Sequence, residues 1–302
     1  MDILKTILYF SIFNYPVTKG ELIEFSNCKT EEDVDAEIKS LLDGGIIHKI
    51  GNYYLKNNSA HFVITREKGN SMAKAIMPKA LKRANLIAQF PFVRGVSFSG
   101  AFSKGYFDDD GDIDFFIITA TNRLWIARTL LILYKKIFLL NSKKFFCVNY
   151  FISEDQMEIA EKNKFTAMEI ATLIPTHGKD CFTVFFKKNL WVNNYFSNVK
   201  LEQKTKETRC MQPDFAKQLI EYILGSRFGD VFDQFFHNLT IKKWKSKFKD
   251  IPHEEFEIAM KSTKNISKHH PNNYQKKIIE TLNTAYRKVN KTHQIVLEPE
   301  HA

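Results

Sequence analysis

The segment DDDGDIDFFIIT, residues 108–119, constrains this chain more tightly than any other. Five of the seven residues from Asp108 to Asp114 are aspartate, and a run of Phe and Ile follows at once. The apolar run asks for a buried strand, whereas carboxylates ask for water. Strand alternation puts Asp112 and Asp114 on one face, roughly 7 Å apart at Cα, and turns Ile113 and Phe115 to the other. Two carboxylates converging at the head of a core strand need a positive charge between them. A divalent cation supplies it, and Mg²⁺ in particular takes hard oxygen ligands from one or two carboxylates plus nucleotide phosphates. An EF-hand loop is excluded, because its twelfth residue, counted from Asp108, is Thr119 and not Glu.

Twelve residues before Asp112, Gly100 opens the turn GAFSKG. Glycines let backbone N–H groups approach an anion closely. Ser103 can donate a hydroxyl and Lys104 a charge. Strand, phosphate-cradling turn, acidic loop and a strand bearing a carboxylate pair together suit in-line attack on a nucleoside triphosphate, where positioning and charge neutralisation dominate.

The stretch FSGAFSKGYFDDDGDIDFF resembles the signature of the DNA polymerase β-like nucleotidyltransferase superfamily: a Gly-containing turn, a spacer, then Asp-hydrophobic-Asp. The resemblance covers the middle of the chain, most sharply residues 96–118. It implies an Mg²⁺- or Mn²⁺-dependent transfer of a nucleoside monophosphate from an NTP to an acceptor hydroxyl, with release of pyrophosphate. Asp112 and Asp114 would hold the metal. Gly100, Ala101, Ser103, Lys104 and Gly105 would form the triphosphate-binding turn. Two positions depart from the pattern. Ala101 stands where Ser or Gly is usual, so Ser103 is expected to take that role. The third carboxylate expected from the strand FFCVNYFIS is replaced by Asn149, with Glu154, Asp155 and Glu158 as candidates to stand in. These departures motivate an alternative reading: a nucleotide-binding regulator or scaffold impaired in transfer.

Around this segment the chain of 302 residues divides into three. The fold class expected is α/β (α+β): a small mixed-sheet core preceded by a winged helix-like domain and followed by a helical domain. Residues 1–58 read as three helices and a hairpin. ILKTILYFSIF stops at Asn14-Tyr15-Pro16, Thr18 and Glu21 form a capping box, Thr30 starts the third helix, and Gly51-Asn52 turns the hairpin. The third helix carries Glu31, Glu32, Asp33, Asp35 and Glu37, which repel DNA phosphates, so this segment is read as an interaction module. Residues 60–200 alternate helix and strand, with a kink expected at Pro78. Residues 201–302 read as basic and mostly helical, forming the cleft's other wall and fraying beyond about Lys291.

The balance of 44 Lys+Arg against 34 Asp+Glu gives +10, which suits polyanionic partners. Nucleic acid is a possible partner through the lysines at 242–249, with Trp244 and Phe248 as stacking groups, but a solvated helix face with inward aromatics is favoured. Arg128 reads as a surface charge and His269-His270 as polar surface. Cys28, Cys147, Cys181 and Cys210 are scattered, without a CxxC pair, which excludes a disulfide framework and fits a reducing, cytoplasmic setting. The apolar stretch 124–140 contains Arg128, Lys135 and Lys136, too many charges for a membrane span.

Overall fold

The computed structural model describes residues 1–142, 144–269 and 273–301. Helix α1 (Asp2–Ser11) buries Ile3, Leu4, Ile7 and Leu8 along one stripe. After it come β1 (Val17–Thr18), α2 (Lys19–Glu24) and α3 (Glu31–Asp43). Capping boxes start both later helices. Thr18 and Thr30 accept from the third helical N–H, and Glu21 and Asp33 reach back to the cap. Strands β2 (His48–Ile50) and β3 (Tyr53–Leu55) pair around the two-residue turn Gly51-Asn52, where Gly51 takes φ 58°. With β1 they form a three-stranded sheet in the order β1-β3-β2.

Helix α4 (Ala60–Ala88) carries Pro78 inside it and continues on both sides of it. It leads to β4 (Val93–Ser99), the single turn α5 (Gly100–Ser103), β5 (Asp114–Thr119), α6 (Leu124–Phe138) and β6 (Cys147–Ser153). Next come α7 (Lys164–Ala171), β7 (Ile174–His177) and α8 (Lys179–Lys188). The last part comprises α9 (Phe215–Leu224), α10 (Arg227–Lys247), α11 (His253–Ala259), β8 (Ile266–Lys268) and α12 (Tyr274–His293). Among the described residues the protein is thus mixed α/β with two small sheets. The larger has the order β7-β4-β5-β6-β8, antiparallel except for the parallel pair β5–β6.

The alternation of β5 divides the core as its sequence requires. Ile113, Phe115 and Ile117 join the cluster under α4 and α6, with Ala80, Ala84 and Leu131. Phe116 and Ile118 join the cluster under α7 and α8, with Met168, Phe182 and Phe185. Asp114 therefore sits on the α7 side, in the same row as Phe116 and Ile118.

The C-terminal part is mostly helical, and β8 adds an edge strand to the larger sheet beside β6. One expectation for it is corrected, since the tail is not frayed: Leu297 is buried and exchanges backbone bonds with the Asn290 side chain, while Glu300 takes Lys164 and Tyr286 as partners. The tail was read as frayed as chain ends commonly are; its order comes from side chains of the preceding helix α12 and from Lys164 of α7, far away in sequence.

Candidate functional site

The site lies at one end of the central strand pair. Ser99 is opposite Asp114 in the β4–β5 ladder, so Gly100 begins its turn directly beside that carboxylate. Gly100 takes φ 65°, and a Cβ there would lie 2.5 Å from Asp114 Oδ2. Only glycine leaves room for the aspartate while the chain turns. Within the turn Phe102 is buried in the core, Ala101 is exposed, and the Ser103 hydroxyl donates to the Gly100 carbonyl at 2.9 Å. Ser103 is thus committed to shaping the turn.

Strand β5 starts at Asp114, so Asp112 belongs to the preceding loop rather than to the strand, as alternation alone had suggested. Ile113 still joins the parallel ladder, donating to the Lys144 carbonyl and accepting from Cys147 N–H. That keeps the two carboxylates on one side. Ligand atoms of Asp112, Asp114 and Cys147 all lie within 4.8 Å of one another. Burial, then repulsion from Asp112, pushes the Asp114 carboxyl up to about 7. Burial and both carboxylates push the Cys147 thiol strongly upward, so it stays protonated and donates to them.

Asn149 stands beside Cys147 by strand alternation, and β6 carries an irregularity there: Phe115 pairs with Val148 and Phe116 with Tyr150, leaving Asn149 as the extra residue. Its amide donates to Cys147 Sγ at 2.9 Å and reaches Asp114 Oδ1 at 3.4 Å. The expected position is therefore at the site, but as an amide aimed at a carboxylate and a thiol. The proposed substitutes are elsewhere. Glu154 follows Ser153, which pairs with Thr119 at the opposite end of β5, roughly 17 Å away for a strand of this length. Glu154 accepts from Cys181, Asp155 from Ser153, and Glu158 pairs with Lys162 on the surface.

Lys104 is also differently engaged than expected. Its ammonium pairs with Glu169 of α7 at 2.7 Å and donates to the Gly100 carbonyl at 3.1 Å. Gly105 takes φ 74° and its carbonyl accepts from the Asn70 amide at 2.6 Å. The Tyr15 hydroxyl donates to the Lys104 carbonyl at 3.2 Å, so the N-terminal helices touch the back of the turn. Cys147 and Glu169 were missed from sequence. Alternation from Asn149 would have pointed to Cys147; nothing local marks Glu169.

Helix α9 lies away from the site: its Lys217 and Glu221 bind Ala88, Val93 and Phe92, at the Val93–Thr119 end of the ladder. The C-terminal part comes alongside at His269, whose N–H donates to the Asn149 carbonyl at 3.0 Å and whose ring meets Trp244 of α10 and Phe248; His270 lies outside the described residues. Arg128 is not a surface charge. It is buried, with its guanidinium 4.7 Å from the Trp244 ring centre, and burial lowers it to about 10. Trp244 itself is buried with Phe256 and Met260, so the lysines of α10 form a solvated face whose tryptophan packs inward. Among the described residues all four cysteines are free, and no helix is long and apolar enough to cross a membrane.

Comparison with protein-family models, with curated proteins and with solved structures gave no match to this chain.

Proposed function

We propose that this chain is a divalent-metal-dependent nucleotidyltransferase that moves a nucleoside monophosphate from an NTP to an acceptor hydroxyl. The observation that carries the reading is the close fit of Gly100 under Asp114, with Asp112 and a third donor within 4.8 Å. A half-buried carboxylate pair with no cationic side chain between its members among the described residues fits a divalent cation, Mg²⁺ or Mn²⁺, held by Asp112 and Asp114. Such an ion, when bound, neutralises charge developing on phosphate oxygens. The chain's own part is positional. Gly100 and Gly105 hold the turn open toward an anion, Ser103 fixes its curvature, and Asn149 orients the Asp114 carboxylate. In the same reading residues 1–58 are a winged helix-like module, residues 60–200 the transferase core and residues 201–302 a helical domain. The setting is cytoplasmic, and the N-terminal module serves contacts with protein.

A second reading, nucleotide binding without transfer, draws on two observations. Lys104 is already neutralised by Glu169, and a thiol and an amide occupy the place of a third carboxylate. One experiment separates the two. Release of pyrophosphate from the four NTPs is followed with Mg²⁺ or Mn²⁺ and with excess EDTA, alongside calorimetric titration of the same nucleotides. Metal-dependent release supports transfer. Metal-dependent binding without release supports the second reading. An absence of binding at millimolar nucleotide removes both.

Metal uptake is expected to be proton-coupled. Because Asp114 titrates near 7, an incoming cation must displace its proton below that pH. Apparent Mg²⁺ affinity should fall by about tenfold per pH unit below 7 and level off above it. Calorimetry at pH 6 in buffers of different ionisation enthalpy should read the release of about one proton per ion; a pH-independent affinity would contradict the assignment.

A further inference from the structure

Helices α9 and α10 are mounted with their polar sides inward. In α9, Lys217 is buried and donates to the Ala88 and Val93 carbonyls, both at 2.8 Å. Glu221 pairs with Arg94 at 2.8 Å and accepts from Phe92 N–H. In α10, the buried Asp233 accepts from the first N–H groups of α6, at Trp125 and Ile126. Arg123 braces the turn between the two helices through the Leu224, Gly225 and Ser226 carbonyls and through Asp230. Rotating either helix to bury its hydrocarbon would strip these bonds from buried groups, at a cost of about 1–3 kcal/mol for each group left unsatisfied.

The hydrocarbon consequently faces out. Phe215, Leu219, Tyr222 and Ile223 of α9 are exposed, Phe215 at 78% and Tyr222 at 84%. Phe228, Phe232, Phe235 and Leu239 follow one another at helical spacing on α10, Phe228 at 75%. The five aromatic rings among them leave roughly 700 Å² uncovered, taking about 200 Å² for a fully exposed ring. Summed over the two helices, that is close to one partner's share of a standard interface, about 800 Å².

Charge selects the occupant. From Phe215 to Leu239 the only exposed charged residues are Arg227 and Asp230, and Asp230 is already paired. A membrane-surface helix carries Lys or Arg along its polar flank, and here that flank faces the protein; the lysines begin at 242, beyond the patch. On a chain of net charge +10, a near-neutral apolar face is where a second copy approaches with least repulsion. A two-fold arrangement sets the same face against itself.

We infer that the outward face of α9 and α10 is a homodimer interface. Sedimentation velocity of the full chain over a micromolar concentration series tests it. The expected result is a species of twice the chain mass. Phe228→Asp combined with Phe235→Asp should weaken it by roughly a hundredfold, with the circular dichroism spectrum and melting temperature of the monomer retained. Tyr222→Asp combined with Ile223→Asp, on the other helix, should do the same. A wild-type chain that stays monomeric at every concentration overturns the inference, whether or not it floats with vesicles of phosphatidylcholine and phosphatidylglycerol. A dimer that survives both double variants overturns it equally.

Discussion

Replacing Asp112 and Asp114 together by asparagine is expected to reduce nucleotide turnover by at least about a thousandfold while making the metal-free protein more stable. The loss follows from removing both anionic ligands of the proposed cation, whose charge neutralisation carries most of the rate. The gain follows from linkage. The folded-state pKa of Asp114, about 7, is raised above its ordinary 3.8. The native state therefore holds that proton more tightly, and stability is lost as pH rises from about 4 toward 7. At pH 8 the carboxylate destabilises the fold, and the isosteric amide lifts that burden. Allowing for weakened contacts with Cys147 and Asn149, the gain should be on the order of 1–3 kcal/mol, a rise of a few degrees in melting temperature. It should vanish near pH 4, where the wild-type carboxyl is protonated as well. Thermal melts of the two proteins at pH 8 and pH 4, each with EDTA, check the sign. A variant less stable at pH 8 would mean that the protein itself compensates the pair, leaving a cation no role there.

The second large effect is expected at Arg66. Its guanidinium lies against the Tyr15 and Tyr53 rings, 4.3 and 4.7 Å from their centres. It forms a two-pronged pair with Glu21 at 2.8 Å, donates to the Pro16 carbonyl, and reaches Asn70 at 3.3 Å. Arg66→Ala leaves the half-buried Glu21 carboxylate without its cation, with only Thr18 as donor, and the Pro16 carbonyl without its donor, which should cost about 3–5 kcal/mol. Arg66→Lys should recover little, because a single ammonium cannot hold both Glu21 oxygens and stack. Tyr15 and Asn70 also touch the Lys104 and Gly105 carbonyls, so nucleotide affinity should drop with stability. Urea denaturation read beside nucleotide titration tests both parts. A loss below about 1 kcal/mol, the range of an exposed ion pair, would reduce Arg66 to a surface contact, and unchanged affinity in a destabilised variant would disconnect the N-terminal helices from the turn.

Much of the site's first half was legible from sequence, since it is local. The Asp-Ile-Asp alternation, the glycine turn upstream and the apolar strands on either side lie within twenty-odd residues, and the antiparallel β4–β5 pair brings them together as spacing suggests. The second half depends on β6, and there sequence reasoning faltered. Alternation puts Cys147 and Asn149 on one face, but only the parallel register, with Cys147 opposite Asp114, brings the thiol to the aspartates, and one extra residue then leaves Asn149 unpaired between Val148 and Tyr150. Register and a one-residue irregularity leave no mark on composition or periodicity. Glu169 escaped for a similar reason: only the packing of α7 under the sheet brings it to Lys104.

Helical spacing in α9 and α10 was equally visible, yet it carried no information about which face would turn inward. By itself the sequence determined the helices, their caps, the hairpin at Gly51 and the placing of two carboxylates at the head of a core strand. All of these depend on contacts a few residues apart. Only the tertiary structure decided what stands across from those carboxylates, what neutralises Lys104, that Arg128 is buried, and that the α9–α10 hydrocarbon faces outward. Those outcomes depend on strand register and on buried charges finding distant partners, and such pairings are settled by the assembled fold.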